Sequence, residues 1–465
     1  MLRNAKHVHM IGIGGSGMSG IARMLMSNGC GVSGSDSTLS PTVRYLQKLG
    51  AAVSIGHSGA NLPMEAEVVV RSEAVKTDNP EVLAADARGL RVLSYAQALG
   101  DLMRSYRSVA VSGTHGKTTT TAMTAWILSR AGLKPNFVVG GKVPQLGGSS
   151  GVGEGDIFVA EACEYCRSFL NLTPEVAIIN NIEEDHLDYY KDLAEIIDTF
   201  GEFASRIPKS GLLVLNGDDA NVMQAARKAV CRKTTFGISD KNHWRADRME
   251  GVPTITSFNV LRGGARFGRF QLSLSGQHNV MNALAALAVA DHFGVGKETI
   301  ADALATFRGV DRRFEEIGGR DDITIVTDYA HHPTAVRVTL RAARTRYPGR
   351  RIWCVFQPHQ CSRTRYLLKE FARAFGDADM VIIPDIFSVR DTEAERKRIS
   401  SLDLVREIKT QGKNARYIAS LDGIQEYLVR NVRTGDVVVT MGAGNINELA
   451  EAFADAQCHI NPVKP

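Results

Sequence analysis

Val109-Ala110-Val111-Ser112-Gly113-Thr114-His115-Gly116-Lys117-Thr118-Thr119-Thr120 is the stretch whose reading decides the fold. A short apolar strand runs into a glycine-flanked loop. The loop opens a helix on which Ala122, Met123, Trp126 and Ile127 recur at helical spacing. A strand, a glycine loop and a Lys-Thr pair at a helix start make a phosphate cradle. The backbone amides of Gly113, Thr114, His115, Gly116 and Thr119 and the Lys117 ammonium meet phosphate oxygens, and the Thr118 hydroxyl reaches Mg²⁺. The strict form of the pattern has a further glycine where Val111 stands, so this is a shortened variant. The loop predicts ATP binding.

Working outward, apolar strand candidates alternate with helical patterns along the whole chain, which predicts an α/β fold of mostly parallel sheets with covering helices. A first block holds Val8–Ile13, a helix from about Gly17 to Asn28, and Val68–Val70, and closes near Tyr106. A second begins at Val109, includes Ile157–Ala160, Val176–Asn180 and Leu212–Leu215, and ends in helices over Val280–Phe293 and on to Phe307. A third holds Ile323–Thr327, Arg351–Phe356, Met380–Ile383 and Val437–Thr440. Three domains are expected, over 1–106, 107–310 and 311–465, as suits a chain of 465 residues.

Composition narrows the function classes. The 55 basic and 50 acidic residues are interspersed, with no basic face or run, so nucleic acid is not an expected partner. No apolar stretch reaches membrane-spanning length and no secretory signal opens the chain, so no membrane insertion is expected. Seven cysteines scattered from Cys30 to Cys458 read as reduced thiols, which predicts a cytoplasmic protein.

Gly12-Ile13-Gly14-Gly15-Ser16-Gly17 forms a second glycine loop between strand and helix, with Asp36 at the distance of a ribose-binding acid. By itself it admits three readings: a nicotinamide dinucleotide site, another diphosphate such as a UDP-sugar, or a turn with no ligand.

Gly113-Thr114-His115-Gly116-Lys117-Thr118 resembles the ATP loop of the Mur ligase family, and Ile11 to Gly20 resembles the first loop of its alanine-adding branch. Ordered matches continue through Glu161 with Ser168-Phe169-Leu170, Asn181 to His186, Gly276 to Asn279 with Asn282, Arg312-Arg313-Phe314, Asp328 to Thr334, Phe356 to His359, Ser362 to Arg365 and Met441 to Ile446. The resemblance implies a Rossmann-like UDP-binding domain, a P-loop ATPase-like centre and a Rossmann-like C-terminal domain. It also implies an amide ligase that joins L-alanine to UDP-N-acetylmuramate at the expense of ATP. Family roles fall on the matching residues. Gly14, Gly15, Ser16, Gly17, Met18, Asp36, His57 and Ser72 would hold the UDP-sugar. Thr118, Glu161 and His186 would hold Mg²⁺. His278, Asn279, Asn282, Arg313 and Asp328 would contact ATP, and Tyr329, His331 and Arg363 would hold alanine and the reacting carboxylate. Lys117, Glu161, His186, His331 and Arg363 form the expected catalytic set.

Some positions depart from the family pattern. After Glu161, Cys163 and Cys166 stand where the family commonly has aspartates, Gln360 replaces a common arginine, and Arg71-Ser72-Glu73-Ala74 replaces paired serines. The adjacent His331-His332 suggests a metal at first sight, but neighbouring residues rarely share one ion. A ligase adding a peptide or another amino acid, and an NAD-dependent dehydrogenase resting on the first loop, are the competing functions.

Overall fold

The computed structural model describes residues 2–252, 254–319, 322–389 and 391–459. Three sheets follow one another along the chain. The first is fully parallel, in the order Ala52–Ile55, Gly31–Asp36, His7–Ile11, Val68–Arg71, Arg91–Ser94. Its strand order reverses at His7–Ile11, so the glycine loop after that strand opens into the crevice where such sheets bind ligands.

The central sheet has ten strands, with Arg107–Ser112 set between Val176–Ile179 and Ile157–Glu161. These three are buried on both faces and read as continuous apolar runs, which is why the sequence shows them. The sheet also contains three antiparallel strands that the apolar-run reading did not anticipate, Trp244–Val252, Ile255–Arg262 and Ala265–Leu272. Their physical signature is different. Ile255–Arg262 buries only alternate residues, and a Gly263-Gly264 turn with positive φ at both positions closes the hairpin to the next strand.

Two helices back this sheet. Lys117–Arg130 continues from the phosphate-cradle loop, and Gln277–His292 packs along it. The second helix starts three residues before the expected Val280, because Gly276 at φ 97° turns the chain into it. It is buried almost all round, and its run of alanines permits the close approach to its neighbour.

The C-terminal sheet runs Glu315–Gly318, Thr324–Asp328, Val437–Met441, Ile352–Phe356, Met380–Ile383, Ala415–Tyr417, parallel except for its first strand. The end of its Thr324–Asp328 strand carries Tyr329 to a cavity wall shared with Gly140 and Gly141 of the central domain. The first domain docks on the centre by small residues. A Cβ on Gly20 would lie 2.9 Å from Ser150 Cβ, and one on Gly100 would overlap the Asn171 carbonyl oxygen. Arg23 Nη1 donates to the Ser150 carbonyl at 2.7 Å across the same seam. Among the described residues no helix is long and apolar enough to cross a membrane, and no disulfide joins the six cysteines with described side chains. Cys458's side chain and residues 460–465 lie outside the described residues.

The fully buried Leu284 lies on the Gln277–His292 helix that supports the cradle helix. Leu284→Ala is expected to lower unfolding stability by about 2–5 kcal/mol, read as a lower urea midpoint.

Candidate active site

The cradle loop is held from both sides. Gly113 (φ 131°) and Gly116 (φ 78°) take backbone conformations that favour glycine, and a Cβ on Gly116 would sit 2.5 Å from Asn282 Oδ1. The segment after the neighbouring strand braces the loop: Thr114 N donates to the Asn181 carbonyl at 3.0 Å, His115 N to Asn181 Oδ1 at 2.7 Å, and Glu183 N to Thr114 Oγ1 at 2.9 Å. Asn282 accepts the Thr120 hydroxyl at 3.1 Å, and Asn279 donates to the Ser275 carbonyl at 2.8 Å. The helix cap is Gly276, so Asn279 stands in the first turn. His278 is exposed beside it.

Lys117 curls back to donate to the Gly113 carbonyl at 2.6 Å and to Glu164 Oε1 at 2.9 Å. Burial works against its charge, but Glu164 outweighs burial and raises its pKa. Glu164 is the carboxylate that sequence reasoning passed over. It follows Glu161 by three residues, and the cysteines between and after the two glutamates are the more conspicuous departure. It is buried, its Oε2 has no hydrogen-bond partner, and its Oε1 lies 3.8 Å from His186 Nε2. Glu161 ends its strand half-buried, with Oε1 accepting the Gly140 amide. His186 takes φ 54°, and its buried Nδ1 is unpartnered.

The C-terminal domain completes the group. Arg313 Nη2 donates to Thr118 Oγ1 at 3.1 Å. Arg363 donates to Asp185 Oδ1 through Nε at 3.0 Å and Nη2 at 2.9 Å, both residues being buried. Burial pushes the Asp185 carboxyl up, but the Arg363 guanidinium together with His186, His331 and His332 holds the group well below its ordinary range. The expected carboxylate ligand of Arg363 is thus, in this structure, one of the protein's own, and Asp185 is a second residue missed at the sequence level. His331 Nδ1 is 2.8 Å from the Tyr329 carbonyl, so it donates there and leaves Nε2 as an acceptor. Burial and Arg363 push its pKa well down. Asp328 spends both oxygens on its own loops, accepting Phe314 N and Ala330 N at 2.7 Å each. Tyr329 lies under Arg312 and Arg313, 5.1 and 4.9 Å from its ring, on the wall of a cavity of about 380 Å³ shared with Gly140, Gly141 and Lys142.

In the first domain, Gly14 N donates to Asp36 Oδ2 at 2.8 Å, and Ser16 and Gly15 are exposed at the helix start. A Cβ on Gly17 would lie 2.5 Å from the Tyr95 ring, and one on Gly12 would meet Ser72 Cβ at 3.0 Å. His57 Nδ1 lies 3.0 Å from both Ser35 Oγ and the buried Glu81 Oε1. Met18's side chain is buried in the first domain's core, because the helix turns that position toward the sheet. The altered Gln360 is buried at φ 69°, with Oε1 unpartnered, and Cys163 and Cys166 are both exposed.

Family models match in the same order as the sheets: "Mur ligase family, catalytic domain" over residues 7–107, "Mur ligase middle domain" over 111–290 and "Mur ligase, glutamate ligase domain" over 312–444. The chain belongs to the Mur ligase family. Relatives include the UDP-N-acetylmuramate–L-alanine ligase of Acetivibrio thermocellus, 44% identical with 96% of this chain and 95% of that one covered. That of Caldanaerobacter subterraneus is 43% identical with 98% of each covered. Among solved structures, the UDP-N-acetylmuramate-alanine ligase of Thermotoga maritima superposes with a TM-score of 0.81 at 29% identity, covering 98% of this chain and 100% of that one. A murein peptide ligase of Psychrobacter arcticus gives 0.71 at 28%, with the same coverage.

The contacts between this Mur ligase's central and C-terminal domains titrate in one direction. Burial and the nearby His115 push His332 down to about 4. Burial would raise Glu183, but His115, Thr334 and His332 hold it down at about 2. In both cases the unfolded chain binds more protons, so stability rises with pH. The His332 contribution is complete above its unfolded value of about 6.5 and is lost as pH falls toward about 4. That of Glu183 is complete above about 4.3 and drains toward about 2. The urea midpoint is therefore expected to fall between about pH 6.5 and 4, with a shallower slope in His332→Asn; a flat wild-type profile over that window contradicts it.

Proposed function

We propose that this chain is an ATP-dependent amide-bond ligase joining L-alanine to the lactyl carboxylate of UDP-N-acetylmuramate, with release of ADP and phosphate, in the cytoplasmic stage of peptidoglycan precursor synthesis. The observation that carries the reading is one cluster. The cradle lysine, two carboxylates and His186 at the edge of the central sheet face Arg363 and His331, which a different domain delivers. The working division is 1–106 for the UDP-sugar, 107–310 for ATP and 311–465 for the amino acid.

A carboxylate oxygen is a poor leaving group. Its attack on the γ-phosphorus of ATP breaks the bond to ADP and forms an acyl phosphate. The alanine amine then adds to the acyl carbon, the tetrahedral intermediate expels phosphate, and the nitrogen gives up a proton. Phosphoryl transfer depends on position and charge neutralisation more than on covalent help from protein groups. Lys117 is charged and needs only a side-chain rotation from Glu164 to reach phosphate oxygens. Gly113 to Thr119 supply amides, and Arg313 stands against Thr118. Mg²⁺, when bound, supplies charge neutralisation at the phosphates. Thr118, Glu161 and His186 would hold it, and Glu164 suits the ion better than His186 because Mg²⁺ prefers oxygen. The unpartnered buried oxygen of Glu164 fits a cation. Arg363 has the planar fork that binds a carboxylate, and His331 Nε2 offers the alanine amine a neutral acceptor. In the first domain the exposed loop amides, Asp36, Ser72 and His57 would hold the UDP moiety.

Addition of a peptide is the competing activity, since the Psychrobacter murein peptide ligase shares the fold; the alanine ligases at 43–44% identity favour alanine. A dehydrogenase retains only the first glycine loop in its support. Phosphate release is expected to require UDP-N-acetylmuramate, L-alanine, ATP and Mg²⁺ together, and to fall at least about 10²-fold in Lys117→Ala and in Glu164→Gln. Release that continues without alanine, or that responds only to a peptide, rejects the assignment.

A further inference from the structure

His115, Glu183 and His332 come together where the C-terminal domain meets the cradle loop. Their potential ligand atoms all lie within 4.8 Å of one another. His115 Nε2 is 3.4 Å from Glu183 Oε2, and His332 Nδ1 is 3.8 Å from the same oxygen. Ligand atoms in a tetrahedral zinc site lie about 3.3 Å apart, given bonds of about 2.0 Å, so small side-chain torsions would close the set.

The electronic arrangement points the same way. His332 Nε2 is 2.9 Å from the Glu184 carbonyl oxygen, which can only accept, so that nitrogen carries the proton and Nδ1 presents a lone pair. Fixing one ring nitrogen on a backbone carbonyl while the other is left to bind is how ligating histidines are held. That lone pair accepts the Thr334 amide at 3.3 Å, a long contact that an ion would displace, and Glu183 Oε2 lies 3.8 Å from it. Glu183 Oε2 in turn accepts the Thr334 hydroxyl at 2.6 Å. Two acceptors, one of them anionic, meeting in a partly buried place is an arrangement a cation relieves. Burial keeps His332 neutral at pH 7, and His115 with Thr334 keeps Glu183 ionised against its burial, so neither must lose a proton to bind.

We propose that His115, Glu183 and His332 form a binding site for a zinc-class divalent ion, separate from the magnesium position, which fastens the C-terminal domain onto the ATP loop. Two imidazoles and one carboxylate suit Zn²⁺ or Co²⁺ and disfavour Mg²⁺. Of the His331-His332 pair only the second takes part. Because two ligands belong to the central domain and one to the C-terminal domain, the ion resists separation of the two, and domain opening is a step that commonly limits product release. It acts as a brake on turnover.

The test uses the full-length protein in excess Mg²⁺, with Co²⁺ as a visible probe and Zn²⁺ affinity measured by competition with a chelating dye. One tetrahedral Co²⁺ per chain, without thiolate charge-transfer absorption, is expected, and the signal should persist in Cys163→Ser. His332→Asn keeps a residue able to cap its helix but removes the ligand. It should bind Zn²⁺ at least about tenfold more weakly, as should Glu183→Gln, with the folded state of each checked by its urea midpoint. Zn²⁺ inhibition of the wild type should withstand added Mg²⁺. Absence of Co²⁺ binding, thiolate absorption lost in Cys163→Ser, or unchanged Zn²⁺ affinity in both variants overturns the site. These binding results are independent of whether alanine is the amino acid joined. Inhibition fully relieved by Mg²⁺ overturns the brake.

Discussion

The buried pair between Arg363 and Asp185 is the constraint on which the arrangement of the site depends. It links the C-terminal domain to the segment that braces the ATP loop, and both partners are nearly inaccessible to water. A charge left alone there would cost several kcal/mol, so the pair ties the position of one domain to the other. Around it, Arg313 reaches Thr118, His332 reaches the Glu184 carbonyl and Thr334 reaches Glu183. Apart from the one to Thr118, these contacts fall on one short stretch, 183–185, next to His186. Domain docking and assembly of the catalytic group are therefore the same event.

This economy follows from the sheets. Each puts its functional loops at the carboxyl ends of parallel strands, where side chains and backbone amides are not consumed by the ladder. The central strand Arg107–Ser112 is flanked by Ile157–Glu161 and Val176–Ile179, so the cradle, Glu161 with Glu164, and the 180–186 segment emerge side by side. The helices Lys117–Arg130 and Gln277–His292 then fix the loop from behind through Thr120, Asn180 and Asn282. Asn279 and Asn282, expected to contact ATP, also fasten that support.

Much of this was legible in the sequence. Strands buried on both faces appear as uninterrupted apolar runs, and their ends were placed within a few residues. The cradle was legible because a Gly-Lys-Thr turn between strand and helix gathers backbone amides and an ammonium at one point, an arrangement suited to phosphate and to little else. The hairpin strands over 244–272 were not, since a one-sided strand alternates polar and apolar residues and leaves no run to find. Glu164 and Asp185 were passed over because a carboxylate in an acidic stretch resembles a solvated turn; burial alone distinguishes them. That the Met18 side chain is buried was likewise not legible, because a helix start exposes some residues and turns others inward within one turn.

By itself the sequence determined the fold class, the three-part order of the sheets, the glycine loop that opens the Lys117–Arg130 helix and the family, because these depend on local spacing of apolar residues, glycines and a few polar groups. The tertiary structure alone decided which charges meet. Arg363 and Asp185 are separated by 178 residues along the chain, and Lys117 and Glu164 by 47. Electrostatic partners are set by distance in space and by exclusion of water, and neither quantity is written in the order of residues along the chain.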